Sequence, residues 1–415
     1  MAGTALTNPD PGTQRASRVP AAAFLLTLMA AAFAGAAETQ LPIRINNPTR
    51  LPVWKTAAER TAIGPGYKPC LALLPNGELV MVALFSDSSA GFREWTGLWR
   101  STDGGRTWSD RVEVKDLIGR EQFLTCTSDG TLFATCHLLP QDRNNPDGYT
   151  HSYLHRSEDG GRNWTRTRIV VDGVPAKAGS TLSRNVLELD DGTLLLGVGV
   201  NQYEKGQVAF VWRSTDRGRT WNHGERVQLG GYGDREYHNW DGFFSEDFSF
   251  MRNDGTWLHM IRCGPPSPMH PMPDGRPVPS GDDSIDRMLY CESTDLGRTW
   301  SKLHDFGPYA AHYPRLLRLR DGRVLLTFTQ RGVLYPIGLQ ALVSNDDGKT
   351  WDFGRDRIVI EGKTPWNGVS GGGFGNTVQL ADGTLVSCYS YQDSDTYWNY
   401  QGNTTKIEVV RWQLP

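Results

Sequence analysis

The octapeptide STDGGRTW at 101–108 recurs as SEDGGRNW at 157–164, STDRGRTW at 214–221, STDLGRTW at 293–300 and SNDDGKTW at 344–351. The common pattern is Ser-x-Asp-x-Gly-(Arg/Lys)-(Thr/Asn)-Trp. Each position suits a turn. The Asp103 carboxylate can accept bonds from turn N–H groups, and Gly105 supplies a positive φ. Trp108 is expected to start the next strand as a large apolar plug. The repeat is therefore expected to be a structural turn rather than a sugar or calcium site.

A second repeat lies between these turns. Apolar runs flank Asn76-Gly77, Asp129-Gly130, Asp191-Gly192, Asp254-Gly255, Asp321-Gly322 and Asp382-Gly383, spaced 53 to 67 residues apart. Asn-Gly and Asp-Gly between strand-like runs are the strongest short-range hairpin signal. Each unit thus offers strands A and B around the hairpin, strand C running into the Ser-x-Asp turn, and strand D starting at the Trp. Six such units predict an all-β fold, a six-bladed β-propeller of four-stranded antiparallel blades. The sixth unit lacks the Ser-x-Asp turn and ends in KIEVVRW at 406–412. The segment 41–60 is expected to supply a strand that closes the ring.

Composition fits this picture and excludes others. The 415 residues carry 43 Lys+Arg against 46 Asp+Glu, a formal net charge of −3. That balance argues against a dedicated nucleic-acid binder and against a disordered acidic chain. Arg15 and Arg18 precede an apolar run from Val19 to Ala34, and Ala34-Gly35-Ala36 supplies an Ala-x-Ala site. Residues 1–36 are expected to be a signal peptide and 37–415 the exported propeller, periplasmic or extracellular, with no stable membrane insertion after cleavage. Six cysteines occur without a CxxC pair, so no metal ribbon is expected. Either Cys263 and Cys291 close the Pro-rich insertion between them with a bridge, or the cysteines are buried free thiols.

The strand order sorts residues between two rims. The hairpins and the Ser-x-Asp turns share one rim, so a site belongs on the other, at A-strand starts and B-strand ends. Nine residues before each hairpin glycine stand Lys68, Glu121, Ser183, Glu246, Tyr313 and Phe374. All six are expected near the mouth of the central channel. Polar residues at B-strand ends are Asp87, His137, Asn201, Arg262, Arg331 and Tyr391.

The five Ser-x-Asp turns resemble the Asp boxes of the sialidase (neuraminidase) superfamily over nearly the whole mature chain. The resemblance implies an arginine cluster for a substrate carboxylate, a tyrosine–glutamate pair attacking the anomeric carbon, and a carboxylic acid protonating the leaving oxygen. Glu246, in SEDFSFMRNDG, resembles the assisting glutamate that starts blade four. Arg262 and Arg331 resemble the second and third arginines. The first arginine is replaced by Lys68, in Tyr67-Lys68-Pro69-Cys70, and the tyrosine of blade six by Phe374, in GGGFGNT. The candidates for the acid are Asp87 and Glu94, in FSDSSAGFREW. Tyr313, at the equivalent point of the neighbouring blade, either substitutes as the nucleophile or lines the channel as core. A pair of Glu246 and a blade-one acid, working without tyrosine, is the other possibility.

The expected catalytic set is therefore Glu246, Asp87, Glu94 and Tyr313. The expected substrate-binding set is Lys68, Arg262, Arg331, Glu121, Arg315 and His312, the last on a D–A connection facing the site. No cofactor or metal is expected. His151 and His155 are four apart on a strand, about 13 Å, too far to share an ion. The insertion 264–283 is either a stiff wall beside the site or a passive loop, and Asp282, Asp283 and Asp286 read as solvated loop charges rather than a calcium site. Trp240, in YHNWDG, either stacks on a sugar or packs between blades. The resemblance implies an exo-glycosidase acting on a terminal sialic acid or related acidic sugar of a glycan. Open alternatives are a glycosidase or polysaccharide lyase for another sugar, and a binding propeller without turnover.

Overall fold

The computed structural model describes residues 42–46, 53–87, 93–140, 142, 145–204, 206–230, 243–263, 287–308, 310–330, 338–355, 357–360, 374–392 and 405–414. The predicted signal segment lies outside them. So do Arg331, Asn201's side chain, Trp240, Asp282, Asp283, Asp286 and the insertion 264–283. The described strands form six antiparallel sheets. Blade one runs Tyr67–Leu73, Leu79–Asp87, Arg93–Ser101 and Val112–Glu113; blade two runs Arg120–Cys126, Leu132–Leu138, His151–Ser157 and Thr165–Arg168. In blade three the inner strand is split into Thr181–Leu182 and Leu187–Glu188, both paired to Leu194–Glu204. No α-helix occurs among the described residues, and none there is long and apolar enough to cross a membrane.

Ring closure departs from expectation. Blade six is completed by Glu59–Pro65, which pairs antiparallel with Thr405–Trp412. The preceding strands Pro42–Asn46 and Val53–Ala57 form a hairpin added to the outer edge of blade five, beside Arg357–Val359. The closing strand is thus narrower and later than the segment 41–60. N-terminal and C-terminal chain share one blade, so the ring is held shut by a backbone ladder. That removes an open edge that would otherwise invite pairing with another chain.

The Asp boxes are structural turns. In the first box, Asp103 Oδ1 accepts from the N–H groups of Arg106 and Thr107, both at 3.0 Å, and its other oxygen from the Thr107 hydroxyl at 2.6 Å. Ser101 Oγ accepts from Gly105 N–H at 2.8 Å, and Trp108 Nε1 donates back to the Gly105 carbonyl at 3.1 Å. The residue before the box glycine also takes a positive φ, even where it is Arg217, Leu296 or Asp347. Strand D begins directly after the tryptophan in the second and third boxes, at Thr165 and Asn222, but four residues after Trp108 in the first, at Val112, where the indole caps its own turn. Each turn is also tied to its neighbour. Arg100, Arg156 and Arg213 donate to the carbonyls of Gly160, Arg217 and Leu296 in the next blade's box, at 2.7–2.8 Å. Arg411 reaches Gly104 the same way across the closure, at 2.9 Å. These bonds satisfy box carbonyls that the turn itself leaves open.

The proposed bridge between Cys263 and Cys291 does not form. Cys291 is a buried free thiol opposite His259, while Cys263 is paired opposite Arg287. A four-residue offset is about 13 Å of strand, and a bridge needs Cα atoms within about 7 Å. Cys70, Cys126, Cys136 and Cys388 are free thiols as well.

Candidate active site at the channel mouth

Three of the six A-strand starts adopt the left-handed conformation: Lys68 at φ 49°, Glu121 at 58° and Tyr313 at 54°. None is a glycine, so each costs about 1–2 kcal/mol. At all three the ladder slips, between Tyr67 and Cys70, Arg120 and Phe123, and His312 and Arg315. A bulge re-aims a side chain that the alternation of the strand would send into the sheet packing. His312 and Arg315 lie within strand Ala311–Arg318, not on the connection before it.

These side chains converge with Glu246 from blade four. Tyr313 Oη donates to Glu246 Oε1 at 2.6 Å. Arg262 Nη1 donates to Glu246 Oε2 at 2.6 Å and to Tyr313 Oη at 3.2 Å. Lys68 Nζ donates to Tyr313 Oη at 3.1 Å and to the Glu121 carboxylate, and stands 3.7 Å from Glu246. Arg184 reaches Glu121 Oε2 at 2.5 Å and stands 3.6 Å from Glu246. Lys68 and Arg184 thus bridge the Glu121 and Glu246 carboxylates.

The cluster's charge states follow from burial and neighbours. Burial pushes the Glu246 carboxyl up, but Arg262 and Lys68 overcome it and hold the group well below the usual carboxylate range. Glu121 is likewise lowered, because Lys68 and the arginines outweigh its burial. Burial pulls the Lys68 ammonium down to about 8 despite both carboxylates. Burial and then Glu246 push the Tyr313 phenol well above its ordinary value. Burial also pulls His137 down to about 3, so this imidazole beside Glu121 is neutral.

Phe374 is a wall of the site. Its ring meets Tyr313 edge-on at 4.5 Å and lies 4.6 Å from Lys68 Nζ. Lys68, Glu121, Arg184, Tyr313 and Phe374 themselves line a cavity of about 30 Å³, room enough for water. Arg315 borders that cavity but is spent elsewhere: it donates to the carbonyls of Asp247 and Pro314 and stacks on Phe123. His312 is fully buried beside Tyr313 and held neutral by burial and Arg262. Asp87 and Glu94 lie at the far ends of the paired strands of blade one, opposite Arg93 and Ser86. Their side chains, like Arg331, are outside the described residues. Among the described residues no group of three His, Cys, Asp or Glu is placed to hold a metal.

Arg184 was not among the sequence candidates. It follows Ser183, the counted A-strand start, by one residue, and the broken inner strand of blade three turns it into the channel instead. Its Nη1 also donates to the Glu121 carbonyl at 2.8 Å, tying blades two and three. The only sequence signal for it was a basic residue adjacent to an equivalent point.

The sequence matches the model of the BNR repeat-like domain over residues 27–326. The chain belongs to this family. No curated protein matches the sequence. Among solved structures, a protein of unknown function from Dyadobacter fermentans is 19% identical, covering 85% of this chain and 97% of that one, with a TM-score of 0.61. The NanB sialidase of Streptococcus pneumoniae is 12% identical over 89% of this chain and 71% of its own, TM-score 0.56. The intramolecular trans-sialidase of Ruminococcus gnavus is 14% identical over 84% and 94%, TM-score 0.53. At these identities the likeness carries the propeller fold.

Proposed function

We propose that this BNR-repeat propeller is an exported retaining exo-glycosidase for a terminal acidic sugar, of the sialic acid type, with Tyr313 as its nucleophile. The observation that carries this is the Tyr313 hydroxyl, bonded at 2.6 Å to Glu246 and receiving Arg262 and Lys68 at 3.2 and 3.1 Å. Glu246 is ionised and placed to take the phenol proton as the oxygen attacks the anomeric carbon. The two cations then face the charge that develops on that oxygen, in a site already arranged for it. Arg262 is the most exposed of the cluster, at 18% of its side chain, and is assigned to the sugar carboxylate, with Arg331 as a second partner. Lys68 contributes a point charge where a guanidinium fork is the family pattern. Both described carboxylates at the mouth are ionised, so the proton for the leaving oxygen is assigned to Asp87 or Glu94.

Hydrolysis of a fluorogenic sialoside by the mature protein tests this, with Tyr313→Phe and Glu246→Gln beside it. Release by the wild type that both variants abolish supports the assignment. Full activity in Tyr313→Phe overturns it.

One observation favours a second reading, a lyase for a uronic-acid polymer. The cluster pairs a tyrosine with a lysine of lowered pKa and an arginine, without a described proton-holding carboxylic acid. Elimination needs a base and carboxylate neutralisation, and Tyr313 can return the proton. An unsaturated, ultraviolet-absorbing product from a uronan, in place of sialoside hydrolysis, would select it.

A further inference from the structure

A second cavity, of about 290 Å³, opens where blade two meets blade three, lined by Tyr149, His151, Arg168, Val170, Val174 and Ser180 among others. Tyr149 and His151 stand where strand C of blade two begins, and Val170 to Ser180 form the connection into blade three. Both segments belong to the rim that carries the charged cluster. Ser180 precedes Arg184 by four residues, so the cavity edge lies within about 13 Å of the channel wall along the chain.

Its polar side is built around a buried histidine. His151 is 4% exposed. Its Nδ1 receives Arg168 Nη2 at 3.0 Å. Asp147 Oδ2 lies farther off, 3.5 Å from the same Nδ1, so with the nearer Arg168 donating to Nδ1 the neutral ring carries its proton on Nε2. Among the described residues no acceptor meets that proton. Arg168 Nη2 also stands 2.9 Å from both Tyr149 Oη and Asp147 Oδ2, so its two N–H groups are shared among three acceptors, and the phenol proton of Tyr149 has no acceptor among the described residues. Asp147 balances Arg168, so the polar side is neutral overall. The facing wall is apolar: Val171 is buried, Val174 and Pro175 flank it, and Val170 is an exposed large hydrophobic side chain at 56%.

We propose that this cavity binds a neutral pyranose, taking its hydroxyl edge on His151 and Tyr149 and its C–H face on the Val170–Val174 wall. A pyranose offers this pairing of one polar edge and one apolar face, and the volume is at the lower end of small-ligand sites. The balanced charge disfavours an anionic sugar here, in contrast to the channel mouth. That the pyranose is an inner unit of the glycan whose terminal sugar reaches Tyr313 rests on the glycosidase reading; the cavity's chemistry does not.

Saturation-transfer NMR on the full mature protein, with methyl galactosides and methyl N-acetylglucosaminides as probes, tests the site. Val170→Asp charges the apolar wall at an exposed position, and His151→Gln removes the ring donor. The expected result is saturation of one neutral glycoside by the wild type, at least tenfold weaker in Val170→Asp and also weakened in His151→Gln. Glu246→Gln should bind the glycoside like the wild type, which separates this site from the hydrolytic one. Absence of transfer to every neutral glycoside overturns the proposal. So does binding that Val170→Asp leaves intact, or a preference for methyl glucuronide. None of these results depends on sialoside turnover.

Discussion

Replacing Glu246 with glutamine keeps the shape and the acceptor that Tyr313 uses but removes one buried negative charge. Glu246 raises the phenol's pKa after burial does, while Arg262 lowers it. At the 2.6 Å of this contact a unit charge is worth about 6 kcal/mol with an effective dielectric near 20, or about 5 pKa units. Relaxation of Lys68 and Arg262 trims that figure, so a fall of about 1–3 units is expected for Tyr313. The same change strips a base from the nucleophile, and turnover should fall by about 10²–10⁴-fold. It also leaves Lys68, Arg184 and Arg262 with Glu121 alone, so thermal stability should drop by as much as about 3–5 kcal/mol, the cost of breaking a buried ion pair. The phenolate absorbance of Glu246→Gln, titrated against a Glu246→Gln/Tyr313→Phe double variant, isolates Tyr313. A phenol pKa that stays put or rises in the folded variant would refute the claim that Glu246 sets the electrostatics of this oxygen.

Tyr313→Phe should retain a wild-type circular dichroism spectrum, because Phe374 and Tyr67 still pack around the ring, and lose turnover to background in the fluorogenic assay. Activity should decline above pH about 8 as the Lys68 ammonium discharges. Lys68→Arg, which stays charged, should move that alkaline limb upward in a pH–rate profile. Asp247 is fully buried, and burial raises its carboxyl from 3.8 to about 8. Between those values the native state holds a proton that the unfolded chain has lost, so this group lowers stability as pH rises through the window. Asp247→Asn should flatten that slope, read as the difference in Tm between pH about 5 and about 8 for variant and wild type. In the fourth box, Asp295→Ala removes the acceptor of the Arg298 and Thr299 N–H groups and the Thr299 and Ser293 hydroxyls. Denaturant unfolding should show a loss of about 1–2 kcal/mol.

The turns were legible because their chemistry is local. Ser, Asp, Gly and Trp of each box bond one another within eight residues, so the pattern and the geometry are the same fact. The hairpins were legible for a related reason, although only the glycine of each Asn-Gly or Asp-Gly pair takes the positive φ. Counting from those glycines found Lys68, Glu121, Glu246 and Tyr313, since a propeller repeats its geometry from blade to blade. What failed was non-local or irregular. The hairpin Pro42–Ala57 sits on blade five through pairing some 300 residues away in sequence, which no local pattern encodes. Arg184 was missed because the split strand of blade three shifts the alternation by one. The arginines before three of the boxes, Arg100, Arg156 and Arg213, form a visible repeat whose role only the neighbouring blade explains.

The cost of the mouth says what it is built for. Three non-glycine residues in left-handed backbone, at equivalent points of blades one, two and five, store about 3–6 kcal/mol of conformational strain. A core needing only packing would avoid the left-handed region there, as Phe374 of blade six does. The strain instead brings a lysine, a carboxylate and a phenol onto the channel axis, where blades three and four add Arg184, Glu246 and Arg262. Among the described residues Lys68, Arg184, Arg262 and Arg120, whose Nε lies 3.8 Å from Glu121, face Glu121 and Glu246, an excess of positive charge. A buried surplus of that kind is unfavourable in the empty protein and is relieved when one carboxylate arrives. A sugar carboxylate placed over Tyr313 would reduce that surplus, and a neutral sugar would not. Burial is what brings Lys68 so close to discharge, against the pull of both carboxylates. Substrate and proton loss therefore compete, and binding of an acidic sugar should raise the Lys68 pKa above its value in the free protein.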